Sequence, residues 1–417
     1  MRRYSKAVWG WVGYDAAASG FTTIIMAAFF PALFKTYWSH GVDVTLTTAR
    51  LGTLVSIASL VVALLAPWLG AIADYRAQKK KFLAIFAVVA MLGLSLLALV
   101  PEGSWLLAAG IYAMCLMCYY AANTFYDALL PSVARRESPE IISSLGYSAG
   151  YFSGGVLLAV ALALTIFPHI FGISHKMMAV RIVFVFVALW WLLLLIILER
   201  WVREPQAASN LHHVGRVFVK SWRAVWNTIS SLKKNPNLGF FLVAYWLYVD
   251  AVVSVIVMAV DYGLSLGFKT NDLIAAILIT QFVGFPSAII GGMLARHLGC
   301  KRVIVFMVVI YAITIAWASR MTHVWEFYCL AGMVGIAQGS VQSQSRALFV
   351  KLLPIEHSAQ YFGFFNLVNK FSAVLGPLMV GWVTFYLHSN RIGILSLLIL
   401  LILGVLLLLK VKEPRRA

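Results

Sequence analysis

The strongest constraint on this chain is a series of long apolar runs, each close to the length of a membrane span, that fills most of its 417 residues. About 20 apolar residues are enough to cross a bilayer as an α-helix. In lipid only helices and closed barrels satisfy every backbone polar group, and barrel strands are shorter and alternate in polarity. The sequence therefore predicts an all-α integral membrane protein. The low charged content of 12%, against about 25% in soluble domains, agrees with this prediction.

Twelve transmembrane helices are predicted, and the positive charges between them indicate which helix ends share a side of the membrane. The spans fall at residues 7–35, 51–73, 82–100, 105–130, 143–168, 180–199, 239–262, 272–295, 302–319, 325–350, 360–387 and 391–410. With both termini inside, seven of the 33 lysines and arginines lie outside, Lys370 lies within a span, and the remaining 25 lie in inner segments or at inner helix ends. Basic residues accumulate on cytoplasmic loops, so both termini are expected in the cytoplasm. The same rule explains the net charge of +18 better than nucleic-acid binding does.

Three short stretches of the first half recur in the second half. The matches are Trp11 to Ala16 with Trp246 to Ala251, Gly70 to Asp74 with Gly292 to Arg296, and Asp127-Ala-Leu with Arg346-Ala-Leu. They pair span one with seven, two with eight and four with ten, which predicts two six-helix pseudo-repeats at 1–199 and 239–417. In residues 200–238 apolar positions recur at helical spacing among basic ones. That segment is expected to be a cytoplasmic linker with an amphipathic helix.

Five ionisable residues lie deep in the predicted spans, where a charge costs about 2.5–3.5 kcal/mol on insertion scales. Asp15 and Asp250 are predicted near mid-membrane and are candidates for proton or ion coupling or for anchoring a cationic group of a substrate. The alternative is a structural ion pair or a hydrogen bond between helices. Asp127 and Arg346 are predicted within about one turn of the inner surface, partly hydrated, as a structural or gating pair. Lys370 either pairs with Asp250 or meets a substrate carboxylate.

The tenth predicted span is unusually polar for a membrane helix. Gln338 and Gln342 lie four residues apart and share a face, which we expect to line a substrate path. Polar residues on other spans are further candidates for substrate binding: Asn123, Tyr126, Gln281, Asn366 and Asn369. The alternative is that these groups only join neighbouring helices. Asp74 and Arg296, at equivalent places in the two halves, are candidate gating residues.

No enzymatic activity, cofactor or metal site is predicted. Cys115 and Cys118 form a C-x-x-C inside an apolar helix, without the second pair or the histidines that complete a zinc site. The loops contain no catalytic triad and no P-loop. The expected partners are a small-molecule substrate, protons and the lipid bilayer, and the protein is expected to be a monomer.

Several motifs resemble those of one family of membrane proteins and keep that family's order. They are Tyr14-Asp15-Ala-Ala-Ala-Ser19-Gly-Phe21, Gly70 to Asp74, Tyr126-Asp-Ala-Leu-Leu-Pro131, Ser144 to Tyr151, Tyr248-Val-Asp250, Gly339 to Arg346 and Tyr361-Phe-Gly363-Phe. With them the chain resembles the major facilitator superfamily, and within it the autophagy-related vacuole effluxer family and its bacterial relatives. It departs from the family pattern at Asp127, where an amide is expected, and at Ala17-Ala18, which replace a Trp/Ala-Asn pattern.

The resemblance implies secondary active transport by alternating access. Fungal members are associated with amino-acid efflux from the vacuole, so the expected substrate is a small polar solute such as an amino acid or a related metabolite. Proton coupling through Asp250 or Asp15 and a location in a bacterial inner membrane are further expectations. Two other hypotheses are a membrane-embedded enzyme or lipid-handling protein, and a non-transporting receptor with the same fold.

Overall fold

The structure is a computed structural model that describes residues 4–42, 44–135, 137–204, 235–353, 358–371 and 375–414. Within these ranges the side chains of some helical residues, Lys370 among them, lie outside the description. The described residues form long helices joined by short connections.

Six helices, α1 to α6, make up the first half of the described chain, and each overlaps a predicted span. Their bounds are Lys6–Trp38 (α1), Val44–Arg76 (α2), Lys79–Leu97 (α3), Trp105–Val133 (α4), Pro139–Ile166 (α5) and Lys176–Trp201 (α6). A short 3-10 helix at Pro168–Phe171 lies between α5 and α6.

The second half begins with α7 and follows the remaining predicted spans. Its helices are Pro236–Ser265 (α7), Thr270–Leu298 (α8), Cys300–Ala318 (α9), Val324–Leu352 (α10), Ser358–Phe371 (α11), Leu375–Leu387 (α12) and Asn390–Lys410 (α13). Ten helices of the described chain are long and apolar enough to cross a membrane. The more polar α10, and α11 followed by α12, lie at the tenth and eleventh predicted spans. The all-α membrane fold is therefore confirmed.

A polar seam brings α1 close to α5 inside the first half. Three glycines of α5, spaced four residues apart, face three polar residues of α1 with the same spacing: Asp15, Ser19 and Thr23. A side-chain carbon at Gly146, Gly150 or Gly154 would lie 2.5 to 2.7 Å from the oxygen that it faces. Only glycine allows this approach, because real carbon–oxygen contacts are longer. The seam therefore fixes how α1 presents Asp15 to the rest of the bundle.

The winding of α1 changes next to this seam. Residues Phe21–Phe29 and Phe34–Trp38 are wound as π-helix, and the four residues between them form a single α-turn that contains Pro31. Stretches of π-helix are rare and frequently lie at functional sites. The polar stripe on α1 thus continues from regular α-helix at Asp15 into widened helix at Thr23.

The two halves pack against each other through α5 with α8 and through α2 with α11. On α2, a carbon added at Gly70 would lie 2.4 Å from the carbonyl oxygen of Ala359, at the start of α11. One added at Gly363 would lie 2.6 Å from Cα of Pro67. The Gly70 contact lies at the face of the bundle where α1 begins and α13 ends, which we call the termini face. The halves are closed against each other on this face.

The predicted division of the chain at residues 1–199, 200–238 and 239–417 stays a prediction. Residues 205–234 lie outside the described part of the chain, and the amphipathic helix predicted in the linker falls among them. The described chain leaves α6 at Trp201 and enters α7 at Pro236, at the two ends of that segment.

Candidate functional site

A charged cluster links the two halves near the termini face. The guanidinium of Arg346 on α10 donates through Nη1 to Oδ1 of Asp127 on α4 at 3.0 Å, and through Nη2 to Oδ2 of Asp15 on α1 at 3.2 Å. The Arg346 side chain is 4% exposed, that of Asp127 12% and that of Asp15 17%. One base of the second half therefore pairs with two acids of the first half, in surroundings largely closed to water.

Aromatic rings complete the surroundings of the guanidinium. Its central carbon lies 4.4 Å from the ring centre of Tyr147 and 4.7 Å from that of Trp11. Trp11 stacks on Tyr126 with ring centres 4.5 Å apart, and its indole Nε1 donates to the carbonyl oxygen of Tyr126. Ring faces attract a cation, and this attraction strengthens when water is excluded. The first half therefore surrounds Arg346 with two carboxylates and aromatic rings.

Ser143 on α5 holds the same arginine from a third side. Its hydroxyl accepts from Nε of Arg346 at 2.9 Å and donates to the carbonyl oxygen of Ser343 at 2.7 Å. Its own carbonyl oxygen accepts from Nη2 of Arg346 at 3.1 Å. Beside it, Nε2 of Gln344 donates to Ser144 at 2.7 Å. Hydrogen bonds of serine and amide side chains thus extend the contact between the two halves along α5 and α10.

The cluster differs from the predicted gating pair in three respects. Asp15, expected as a separate mid-membrane acid, shares Arg346 with Asp127. Asp127 and Arg346 each lie six residues from the end of their helix, about 9 Å deep rather than about one turn. Both are largely buried instead of partly hydrated. The predicted spans end at residues 130 and 350, whereas the helices continue to Val133 and Leu352, so both residues lie farther from the helix ends than predicted.

Asp74 on α2 also makes its contacts across the halves. Its carboxylate accepts the backbone N–H of Ala359 at 3.2 Å and of Gln360 at 2.8 Å, at the start of α11, and it pairs with Lys79 at 2.9 Å. A carboxylate at a helix start satisfies N–H groups that lack a helical partner. Arg296, its counterpart in the repeat, is exposed on α8 and forms no ion pair with a described residue. The repeat in sequence is therefore not a repeat of contacts at this position.

Asp250 on α7 is fully buried and is held by backbone groups. Its carboxylate accepts the N–H of Leu375 at 3.0 Å and of Gly376 at 2.8 Å, the first two residues of α12, and the hydroxyl of Ser254 at 3.2 Å. A carbon added at Gly376 would lie 2.8 Å from Asp250, so glycine permits this contact. The predicted pairing of Asp250 with Lys370 concerns a side chain outside the described part of the structure.

The remaining predicted residues divide between the cluster and the helices around it. Nδ2 of Asn366 lies 3.4 Å from Oδ2 of Asp127, which brings α11 to the cluster. Nε2 of Gln281 donates to the hydroxyl of Thr23 at 3.0 Å and joins α8 to the widened part of α1. Four others are half-buried on α4, α10 and α11, and their place on a substrate path stays a prediction: Asn123, Gln338, Gln342 and Asn369.

Three residues that take part in contacts between the halves were not predicted from the sequence: Trp11, Ser143 and Lys351. In the sequence Trp11 stands out only as part of the repeat, and its role depends on the fold, which places its ring beside Arg346. Ser143 belongs to a run of small residues whose composition indicates close helix packing and nothing more. Lys351 lies in the last turn of α10, where a lysine is expected for topology alone.

Solved structures with the same arrangement of helices define the class of protein. The human organic anion transporter MFSD10 superposes with a TM-score of 0.76 at 12% identity, over 97% of this chain and 99% of that chain. FucP, a major facilitator superfamily transporter in the outward conformation, superposes with a TM-score of 0.72 at 11% identity, over 98% and 99%. The fold is that of the major facilitator superfamily.

The sequence comparisons narrow this class to a family. The chain matches the family described as "Vacuole effluxer Atg22 like" over residues 47–141 and 137–417. It is 31% identical to the uncharacterized MFS-type transporter YxiO of Bacillus subtilis, over 99% of this chain and 96% of that protein. Autophagy-related protein 22 of Kluyveromyces lactis is 24% identical over 63% of this chain, which spans 56% of that protein. The chain belongs to the Atg22-like family, and it is a membrane transporter rather than an enzyme.

Proposed function

We propose that this protein is a secondary active transporter that moves a small polar solute by alternating access. The observation that carries the proposal is the Arg346 cluster, in which a base of one half lies between two acids of the other half. These contacts exist only while the halves meet at the termini face. Alternating access therefore requires these contacts to break and form again in each cycle. Because the charges are buried, the contacts affect the free energy of the closed state relative to the open state.

Coupling to protons is proposed to use Asp15, with Asp250 as the second candidate. Two acids and one base meet at the cluster, so its described side chains carry an excess of negative charge. A buried excess charge needs compensation, and either a proton or a cationic group of the substrate supplies it. Asp15 is the more exposed of the two acids. It is therefore the acid that a proton or a substrate would reach more readily.

The proposed path runs between the halves, past the half-buried polar residues of α4, α10 and α11. Lys370 is proposed to face either Asp250 or a substrate carboxylate. The two halves at 1–199 and 239–417 are proposed to move as units of a monomer, joined by the linker at 200–238. The termini face is proposed to be cytoplasmic, in a bacterial inner membrane, because the predicted span map assigns 25 of the 33 basic residues to the inner segments and inner helix ends.

The proposed substrates are amino acids and related metabolites. The family description names vacuole effluxers, and the described cluster offers carboxylates suited to an ammonium group. The test is a thermal-stability screen of the purified protein against amino acids, followed by uptake into proteoliposomes with and without a pH gradient. We expect at least one amino acid to raise the unfolding temperature and to be transported. Stabilisation and flux should both be lost in Asp15→Asn.

A matched control is Asp272→Asn. Asp272 accepts hydrogen bonds from Lys269 and Tyr328 at the opposite face, all within the second half. This variant removes an acid of similar kind without touching the proposed path, so binding and flux should persist. The proposal is wrong if no amino acid or related metabolite stabilises the protein and none is transported in either direction.

A further inference from the structure

A second group of charged side chains joins the halves at the termini face. Lys351, one residue before the end of α10, contacts Oε1 of Glu140 and lies 2.8 Å from Oε1 of Glu413. Glu140 is in the first turn of α5, so the Lys351–Glu140 contact crosses from the second half to the first. The Glu140 side chain is 4% exposed, and its second oxygen accepts no hydrogen bond from a described residue. We call these three residues the Lys351 triad.

Glu413 lies beyond the end of α13, and its carboxylate is held in place by the second half alone. It accepts the N–H groups of Cys300 and Lys301, the first two residues of α9, each at 2.9 Å. Nζ of Lys301 in turn donates to the carbonyl oxygens of Leu409 and Val411 at 2.7 and 2.8 Å. N–H groups at a helix start favour a carboxylate, and here both oxygens are used.

The residues around Glu413 are fixed with it. The amide of Asn237, at the start of α7, donates to the carbonyl oxygen of Lys412 at 2.8 Å and accepts its N–H at 2.6 Å. A carbon added at Gly299 would lie 2.8 Å from Oε2 of Glu413. Residues 411–413 therefore form a strap across the starts of α7 and α9, which we call the C-terminal strap.

The first half has a matching carboxylate, whose hydrogen bonds with described residues stay within that half. Glu204, after α6, accepts the N–H of Lys79 at 2.7 Å and of Lys80 at 3.2 Å, the first two residues of α3. Burial raises the pKa of Glu204, and the donated hydrogen bonds do not fully offset it. Burial also acts on Glu413, but Lys351 and the two N–H groups outweigh it and lower the pKa. Glu413 is thus a charged partner for Lys351, and Glu204 is its structural counterpart.

We propose that the Lys351 triad is a second latch of the termini face, and that the C-terminal strap sets its strength. The proposal rests on alternating access. When the halves separate, Lys351 and Glu413 stay together because the strap belongs to one half, whereas Lys351 and Glu140 part. Glu413 therefore keeps the ammonium paired in the open state. Without such a partner the open state would contain an unpaired lysine, and separation would cost more.

This proposal predicts that substitutions of two neighbouring carboxylates change the ratio of open to closed molecules in opposite directions. Glu140→Gln removes a contact that exists only in the closed state, so it favours opening of the termini face. Glu413→Gln removes the partner that Lys351 keeps after separation, so it favours closure. Each change is expected to alter the ratio of open to closed molecules by about tenfold, the size of a typical coupling between charged neighbours. Glu204→Gln removes an equivalent helix-start contact and is expected to leave the ratio unchanged.

The experiment measures the distance between spin labels on the full chain in proteoliposomes, with the four native cysteines replaced by alanine. Labels on Lys81→Cys and Arg302→Cys, both exposed at the termini face on α3 and α9, report separation of the halves. The long-distance population should rise in Glu140→Gln, fall in Glu413→Gln and stay the same in Glu204→Gln. Unfolding temperatures are measured in parallel, and Glu413→Gln and Glu204→Gln should lose similar amounts.

Two results would overturn the latch. In one, Glu140→Gln and Glu413→Gln shift the populations in the same direction. In the other, Glu413→Gln acts like Glu204→Gln and changes stability alone. Asp127→Asn serves as the reference for movement at this face. If it shifts the distance while the triad variants do not, alternating access stands and the second latch is wrong. If no variant shifts the distance, the proposed function fails with it.

Discussion

The shared arginine makes a quantitative prediction about Asp15 and Asp127. Each acid accepts one charge-assisted hydrogen bond from Arg346 in the closed state and loses it when the halves part. A hydrogen bond to a charged group contributes about 1.5–3 kcal/mol. Asp127→Asn or Asp15→Asn should therefore raise the ratio of open to closed molecules by about ten- to hundredfold. In either variant the arginine still keeps one carboxylate.

The variant with both substitutions, Asp15→Asn and Asp127→Asn, tests whether the two acids share one arginine. With both carboxylates gone, the guanidinium remains buried among Trp11, Tyr147 and Ser143 without an opposite charge. Leaving one member of a buried ion pair uncompensated costs about 3–5 kcal/mol. Each single variant leaves the arginine one carboxylate and the double variant leaves none, so the double variant should destabilise the closed state by more than the two single effects together.

The label pair on α3 and α9 supplies the assay, and Asp272→Asn supplies the control. The hydrogen bonds of Asp272 stay within the second half at the opposite face, so the distance distribution of Asp272→Asn should match that of the unsubstituted protein. If the double variant equals the sum of the single variants within about 0.5 kcal/mol, the two acids act separately. The shared-arginine cluster would then not be what closes this face.

Three further predictions test coupling, packing and topology. Asp250→Asn should abolish accumulation driven by a pH gradient in proteoliposomes but leave counterflow exchange, and unchanged accumulation would exclude coupling through this acid. Gly70→Ala should push α2 from α11 and favour the open termini face by label distance, since its added carbon meets a carbonyl oxygen at 2.4 Å, whereas Gly110→Ala, with nothing within 4 Å, should not. Cysteines at Gln78 and Gly103 should react with an impermeant reagent from opposite sides of the membrane, and labelling of both from outside would contradict the orientation.

Much of the fold could be read from the sequence because insertion into lipid depends on one local property. The described helices overlap the predicted spans, as α5 and α8 illustrate, since about 20 apolar residues must be helical in a bilayer wherever they lie in a chain. For the same reason the deep acids and Arg346 could be recognised as exceptional before any contact was known. Their cost in hydrocarbon does not depend on which partner relieves it.

The contacts of these charged residues could be predicted from the sequence only in part. Asp127 and Arg346 were matched through the internal repeat, but Asp15 was assigned elsewhere because hydropathy gives depth along one helix and not direction around it. The repeat also predicted a counterpart for Asp74, whereas Arg296 faces outward. Equivalent positions in two halves share a backbone fold, but their contacts depend on side chains that have diverged.

What the sequence by itself determined is therefore the class of fold, the number and order of the spans and the few charges that need an explanation. The tertiary structure alone decided that Asp15 and Asp127 share one arginine and that Glu413 meets Lys351. These partners are separated by up to 331 residues in the chain. They come together because glycines such as Gly146 and Gly70 set how closely the helices approach. That approach is a property of two helix surfaces in contact, and no pattern within either helix encodes it alone.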